Sequence, residues 1–524
     1  MTMDTHPLPS NWSKAKIKDI GLTLTGNTPS KSNPKYYGGV IPYIKPPSLQ
    51  DCNISHSEET LSEEGLAVAR FLPKNSTLVS CIGNLGKTGF LKNAAAFNQQ
   101  INGIAPYHGV NPKFIFFQCQ SLFVRRQLED KATATTISIV NKGNFDEVWL
   151  NIPPFNEQSR IVEKIEELFS ELDKGIESLK KAKQQLAVYR QALLKQSFEG
   201  KLTEQWRKDN ADKLPSSEEQ LAAIQKERED RFQQQIEEWE IDVKTWENNG
   251  EEGKKPTKPK LLKINSFNVT ESNKSDYWHT TSLLNMLLSK PANGKSVRDL
   301  IGGFPVLRLT SLKKKYVDLD EAKEGLWTKK EAKPYIIRHG DFLLSRGNGS
   351  KRLVGRGALV NDSTQEVAYP DTIVRLSLSK VGLEPELFSY FWNSAVFRTQ
   401  IENSARTTAG IYKINQAVIS DYHYPVISLE EQKLILELLD QKLSISQQTE
   451  NDIEENLKKA EILRQSILKK AFSGKLVTQD LNDEKVSELL KKIAIEKEEV
   501  TRKEKADKAA ARKKKAAANK TSKS

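Results

Sequence analysis

Apolar residues recur at Ile161, Ile165, Leu168, Leu172, Ile176, Leu179, Ala182, Leu186, Tyr189 and Leu193, every step three or four residues. That spacing is the buried face of one long helix and comes close to a heptad seam. A second stripe, Ile435, Leu439, Leu443, Ile453, Leu457, Ala460, Leu463 and Ile467, repeats it with a more polar middle at Ser446 and Glu450. The flanking residues repeat as well. Glu157-Gln158 matches Glu431-Gln432, Arg190-Gln191 matches Arg464-Gln465, Phe198 matches Phe472, and Gly200-Lys201-Leu202 matches Gly474-Lys475-Leu476, all at one offset of 274 residues. A stretch of about 45 residues duplicated without an insertion is a rigid element, and two copies are too few for a solenoid. At 1.5 Å per residue, about 40 residues of helix span roughly 60 Å and protrude from any ordinary domain. Each stripe must therefore be buried on a partner, and antiparallel packing of the two copies is expected. Pro153-Pro154 closes the preceding block, and Gly200 and Gly474 are predicted C-terminal caps. The alternative, a helix inside a globular core, fits less well, because core helices drift in length.

A block of domain size precedes each long helix. Both read as mixed α/β and share short pieces in one order. Ile41 to Leu49 parallels Phe304 to Leu312; Leu78-Val79-Ser80 with Gly83-Asn84 parallels Leu343-Leu344-Ser345 with Gly347-Asn348. Thr133, Ile137 and Asn141 match Thr407, Ile411 and Asn415 at the offset of 274. The shared pieces are strands and glycine turns, and the stretches between them differ, so one scaffold carries two sets of loops. The predicted fold class is α+β: two mixed α/β domains (1–155 and 266–428) separated by two long antiparallel coiled-coil helices (156–202 and 429–476), with pseudo-two-fold symmetry. Residues 203–265 form a charged helical extension, helical from about Ser217 to Glu247, and a Gly/Pro/Lys linker. A weaker counterpart helix occupies 477–500. The Lys/Ala-rich tail, 501–524, is expected to be frayed or disordered.

Charge changes this picture less than its total suggests. The net charge is +12, but Arg502 to Lys523 holds ten Lys/Arg against Glu504 and Asp507, a net of +8, and only +4 remains for the rest. The folded part must bind a polyanion, if it does, through local clusters: Lys313-Lys314-Lys315, Arg346 to Arg356 and Arg125-Arg126. Three cysteines without CxxC spacing (Cys52, Cys81, Cys119) fit a reducing cytoplasm and exclude a cysteine-based zinc site. No stretch suggests a signal peptide or a membrane span.

No motif carries catalysis. Gly83-Asn84-Leu85-Gly86-Lys87-Thr88 looks like a phosphate-binding loop, but only two residues separate its glycines and Cys81 stands where glycine is needed. Asn151-Ile152-Pro153-Pro154-Phe155 approaches an adenine-gripping Asn-Pro-Pro-aromatic motif, but Ile152 interrupts it. The six histidines are scattered without metal or triad spacing. No cofactor or metal is expected in this chain.

Two divergent α/β blocks alternating with two long helices, each opening on Glu-Gln and closing on Arg-Gln-x-x-Leu-Lys-x-x-Phe-x-Gly-Lys-Leu, strongly resemble the specificity (S) subunit of type I restriction–modification systems. The opening Leu8-Pro9-Ser10-Asn11-Trp12, Gly26-Asn27-Thr28-Pro29-Ser30 with Tyr36-Tyr37-Gly38-Gly39, and Asn98-Gln99-Gln100-Ile101-Asn102 also look like that family. The second block lacks the Gly-Thr-Pro and Asn-Gln-Gln segments and keeps Trp278, the Ser345–Asn348 turn and the Thr407–Asn415 segment. The resemblance implies a non-catalytic subunit acting in the prokaryotic cytoplasm. Each variable block would be a target-recognition domain reading one half of a split, asymmetric double-stranded DNA site. The helices would act as spacer and docking surface for two modification (methyltransferase) subunits. Restriction/translocase subunits would complete the complex, and S-adenosylmethionine, ATP and Mg would sit on those partners. The spacer and docking residues implied are Glu157, Gln158, Arg190, Gln191, Phe198, Gly200, Glu431, Gln432, Arg464, Gln465, Phe472 and Gly474.

Side-chain chemistry then nominates DNA contacts, because Arg and Asn make bidentate bonds to guanine and adenine edges and Lys neutralises phosphates. The candidates are Lys31, Lys35, Lys45, Asn84 and Lys87 in the first domain, and Arg308, Lys313, Arg346, Asn348, Lys351 and Arg352 in the second. Lys45 and Arg308 occupy equivalent positions, which favours a shared backbone contact there. Two other classes stay open: a coiled-coil scaffold that does not read DNA, and an S-like subunit of another phage-defence complex.

Overall fold

In the computed structural model the duplicated stripe becomes two α-helices of 44 residues each, Phe155–Phe198 and Leu429–Phe472. The structure describes residues 7–133, 137–251, 253–263, 270–271, 278–361, 364–408 and 410–521. Part of the predicted boundary between linker and second domain, and the last three residues of the tail, lie outside the described residues. The chain divides into two compact units: Met1–Lys181 with Ile453–Ser524, and Ala182–Asp452. Each long helix therefore gives one part to each unit.

Unit one holds a five-stranded sheet in the order Gly21–Thr25, Ile101–Pro106, Thr77–Ser80, Thr88–Leu91, Cys52–Ile54. Its neighbours are antiparallel except the last pair. A four-stranded sheet, in the order Thr60–Leu61, Tyr37–Ile44, Ala95–Phe97, Phe71–Leu72, lies in the same unit. Unit two repeats the plan: Ala292–Asn293, Ile373–Ser377, Asp341–Ser345 and Gly357–Leu359 in that order, with the hairpin Asp299–Leu307/Ala322–Gly325 standing for Tyr37–Ile44/Thr60–Leu61.

Segments of both long helices complete each core. In unit one, Ile161, Ile165 and Phe169 of the first long helix and Ile467, Leu468, Ala471 and Phe472 of the second join the sheet residues in one cluster. The ring of Phe472 meets Phe114 edge-on at 5.3 Å. In unit two Leu193, Ile435 and Leu439 do the same, and Phe198 packs on Phe391 at 4.8 Å. At about 1.5–3 kcal/mol per fully buried large apolar side chain, these contacts fix the helix parts to their domains.

The helix parts run antiparallel inside each unit. In unit one Arg464 pairs with Asp173 and lies over the Phe169 ring at 4.3 Å. In unit two the equivalent Arg190 donates to Ser446 at 2.8 Å and to Glu450 at 2.6 Å. The polar middle of the second stripe is thus the receptor for Arg190. Both helices close as expected: Gly200 and Gly474 have φ of 75° and 72°, and the following Lys201 and Lys475 N–H groups reach back to Gln196 and Lys470 carbonyls at 3.0 and 2.9 Å, a Schellman closure.

A third helix docks on each unit. Ser217–Asn248 buries Leu221 and Ile224 in unit two. Val486–Thr521 buries Val486, Leu489 and Ile493 in unit one. The seats are equivalent: a Cβ on Gly382 would lie 2.3 Å from Ile224, and one on Gly109 would lie 2.6 Å from Leu489. Glu227 accepts from Ser379 Oγ and Lys380 N in one, Glu496 from His108 N in the other. The last helix is continuous to Thr521, because the Lys- and Ala-rich run has high helix propensity and no Gly or Pro to stop it. Beyond Ser217–Asn248 the chain turns back on the same helix, with Trp239 and Trp246 indoles donating to Pro256 and Gly253 carbonyls.

Candidate nucleic-acid interface

The paired Glu-Gln helix starts are interior joints. Glu157, Gln158, Glu431 and Gln432 are all buried. Gln158 accepts from Asn111 N at 2.8 Å and donates to Pro153 O at 3.0 Å. Gln432 accepts from Glu384 N at 2.8 Å and donates to Ile427 and Gly382 carbonyls at 2.8 Å each. Each Gln ties a domain helix to the long helix. Each Glu takes a domain-opening indole, Trp12 at 3.0 Å and Trp278 at 3.1 Å. Phe472 is likewise buried, while Gln191 is exposed and Gln465 half-buried.

The strands of each unit end in equivalent hairpins, and these carry most of the candidate contacts. In unit one Ser80 N donates to Lys87 O and Gly86 N to Ser80 O; in unit two Ser345 N donates to Arg356 O and Gly355 N to Ser345 O. The turn between is 81–86 in one and 346–355 in the other. Each turn lies along a second strand segment, through Val140 N to Cys81 O and Ile414 N to Arg346 O. The ladder pairs Ile82 with Ile139 and Gly347 with Lys413, so Gly347 stands at Ile82 and Asn348 at Gly83. The two Gly-Asn dipeptides are one residue out of register, a correction to the sequence alignment. The Gly83–Thr88 run is a strand-to-strand turn, not the strand-to-helix turn of a phosphate loop. Burial pushes the Cys81 thiol up to about 12.

On the unit-one hairpin Asn84 is exposed and its carbonyl accepts from Ser80 Oγ. Lys87 lies 3.7 Å from Asp51, whose other oxygen accepts from Thr88 N at 2.9 Å and so ties the segment after Lys45 to the hairpin. Lys45 itself pairs with Glu59. Lys31 and Lys35 are exposed on the segment leading into Tyr37–Ile44, without an ion pair among the described residues. That segment is held by the motif residues: Gly26 N donates to Ile101 O, Tyr43 Oη and Thr28 Oγ1 lie 2.8 Å apart, and Tyr37 Oη donates to Pro29 O. A Cβ on Gly26 would sit 2.1 Å from Phe97 O, so glycine is required by close approach.

In unit two Arg346, Asn348, Lys351 and Arg352 share one turn. Lys351, Arg352 and Arg356 are exposed, Arg346 half-buried, and none has an ion pair among the described residues. Lys313 pairs with Glu321 and lies 3.7 Å from Asp318. Arg308 is exposed just before the turn Leu309–Ser311, as Lys45 precedes Pro46–Ser48. The cationic balance therefore differs: one partnered lysine, Lys87, on the unit-one hairpin, and on the other Arg and Lys without ion pairs among the described residues.

Residues 9–185 match the family model described as the type I restriction modification DNA specificity domain. The EcoKI specificity subunit of Escherichia coli K12 is 25% identical over 91% of this chain and 92% of its own length. The StySPI specificity subunit of Salmonella potsdam is 23% identical over the same shares. The first third of the chain thus carries the specificity domain of that family model, and the chain is similar to type I restriction enzyme specificity subunits over nine-tenths of its length. Its fold agrees. The HsdS subunit from Thermoanaerobacter tengcongensis superposes with a TM-score of 0.51 over 91% of this chain and all of that one, at 16% identity. A chain solved in work on the assembly and conformational transition of the type I system gives 0.58 over 90% and 100%, also at 16%.

Sequence reading misses three features of this arrangement. Gly294 is the second-domain equivalent of Gly26: its N–H donates to Ile373 O, and a Cβ there would meet Tyr369 O at 2.2 Å. The signal was a lone glycine after a short strand, without the Asn-Thr-Pro that marks the first copy. Arg207 lies in the charged extension, yet it bonds Glu431 at 2.6 Å and lies 4.9 Å over the Trp278 ring. Arg398 has a helical-spacing partner in Glu402, but its bonds to backbone carbonyls leave no mark in the sequence.

Proposed function

We propose that this chain confers DNA sequence specificity on a type I restriction–modification complex by reading an asymmetric, two-part double-stranded site, one part with each unit. The observation that carries the reading is the duplicated hairpin. Ser80–Lys87 and Ser345–Arg356 are closed by the same backbone bonds and differ in length and in every candidate contact. One scaffold with two different reading turns fits two different half-sites, so the target is not palindromic. Exposed faces of the long helices, where Gln191 lies, supply docking surface for two modification subunits, and restriction/translocase subunits join them. The chain itself is non-catalytic. S-adenosylmethionine, ATP and Mg belong to the partners, and the complex works in the prokaryotic cytoplasm.

The test is single-molecule methylation sequencing of DNA from cells carrying this chain with its neighbouring modification subunit, against deletion of this chain alone. A split N6-methyladenine motif that vanishes on deletion is expected. Unchanged methylation with an active modification subunit would instead favour a scaffold, or an S-like subunit of another defence complex.

A further inference from the structure

Two serines cap equivalent helices in the two units. Ser121 precedes Leu122–Asp130 and accepts from Val124 N; Ser394 precedes Ala395–Ser404 and accepts from Phe397 N. Four residues after each serine stands an arginine, Arg125 and Arg398, and four further on a glutamate. Arg125 Nε lies 3.2 Å from Glu129, and Arg398 Nη2 lies 3.5 Å from Glu402.

From this common origin the two arginines diverge. The Arg125 side chain is 45% exposed and ends on Glu129, with its stem beside Gly86 of the short turn. The Arg398 side chain is 13% exposed. It donates to Val354 O at 2.7 Å and Arg352 O at 3.2 Å, with Lys351 O at 3.5 Å. Next to it the Trp392 indole donates to Gly355 O at 2.7 Å. Strand pairing on this turn ends at Asn348; beyond the local turn bonds of residues 350–356 and the Ser345 contacts, whose Oγ donates to Leu353 O at 3.0 Å, the guanidinium and the indole hold the longer loop. Arg398 has its donors committed to carbonyls and is no DNA ligand itself. On the backbone it holds, the side chains of Lys351 and Arg352 are exposed and have no ion pair among the described residues.

We propose that Arg398 is a positioning residue for specificity: it fixes the backbone of residues 351–354 so that the basic side chains of the unit-two turn meet base edges in one geometry. The proposal rests on the reading of that turn as a DNA-contacting element. Hydrogen bonds to base edges depend on geometry, whereas phosphate attraction depends on the number of cations brought to the duplex. Arg398 controls the first and leaves the second alone.

The experiment uses the full chain with its modification subunits. Target and scrambled duplexes are compared over a salt series for wild type, R398M and R398K, with hydrogen exchange on residues 350–356. R398M is expected to weaken target binding about 10- to 100-fold while scrambled-DNA binding and the salt slope stay as in wild type. R398K is expected to fall between. Exchange should quicken at Leu353 and Val354 and not elsewhere in unit two. Target affinity unchanged in R398M would overturn the proposal. So would target and scrambled binding falling by one factor, or R398K losing protection across the whole unit, since either marks a general folding role. A wild-type complex that does not distinguish target from scrambled DNA would refute the DNA-reading function itself, which is a separate outcome.

Discussion

Changing Glu157 and Glu431 to glutamine, one at a time, should shift stability in opposite directions although the two residues occupy one position in the duplicated helix. Both accept a tryptophan indole, and a glutamine oxygen can still do so. Their other partners differ. Glu431 also takes the Thr203 hydroxyl at 2.7 Å and Arg207 at 2.6 Å, with the Arg207 side chain only 12% exposed. Removing one charge of such a pair strands the other, which typically costs about 3–5 kcal/mol. Because the amide oxygen still accepts, Glu431→Gln should cost about 2–3 kcal/mol, toward the lower end for a charged hydrogen bond lost in the interior. At Glu157 the positions of Thr203 and Arg207 are taken by Val477 and Leu481. The nearby Arg160 is turned to Asp483 at 2.7 Å. Glu157 Oε2 is buried without a hydrogen bond of normal geometry, and burial raises its pKa. Glu157→Gln removes an uncompensated charge and should fall between neutral and about 1 kcal/mol stabilising. A chain of two units has no single unfolding free energy, so the assay is hydrogen exchange resolved to the starts of the two long helices. Protection should fall around Glu431 in one variant, and hold or rise around Glu157 in the other. Equal losses in both would refute the reasoning.

The same carboxyl sets a pH dependence. With a folded pKa raised above the unfolded value, its protonated form favours the native state, so the advantage of Glu157→Gln over wild type should be absent below about pH 4, grow as pH rises through the folded value and then level off; a constant difference across that range in unit-one exchange would contradict it. Gly382→Ala places a methyl 2.3 Å from Ile224 and should loosen the helix Ser217–Asn248 at a cost of about 1–3 kcal/mol, seen as faster proteolysis of that helix with unit one unaffected. In DNA binding, Lys351→Gln with Arg352→Gln should flatten the log–log salt slope by up to about 2, while Lys45→Gln with Lys87→Gln, whose charges are already met by Glu59 and Asp51, should change it less.

Much of the architecture was legible in the chain because it was written twice. The heptad-like stripe, the Gly200 and Gly474 caps and the Asn141/Asn415 pair, which cap Lys142–Asp146 and Gln416–Ser420 alike, all follow from local periodicity and turn chemistry. What was hidden depends on residues far apart in sequence. The polar break at Ser446 and Glu450 makes sense only with Arg190 against it, and nothing in the helical period announces that. Glu157-Gln158 and Glu431-Gln432 read as matching helix starts, and only the packed fold shows the indole and backbone groups that allow them to be buried. Gly109 and Gly382 are ordinary loop glycines until Leu489 and Ile224 are seated on them. The candidate contacts were legible as residue types but not as a balance. Whether Lys87 or Arg352 has a carboxylate beside it is a property of the packed loops.

The most direct measurement of the central claim is the methylation motif of a chain in which residues 346–355, the unit-two turn, are replaced by the turn of another specificity subunit, read by single-molecule sequencing beside wild type. If each unit reads its own half-site, one half of the N6-methyladenine motif changes while the other half and the spacing between them persist. Simultaneous change in both halves, or an unaltered motif from an active complex, would contradict it.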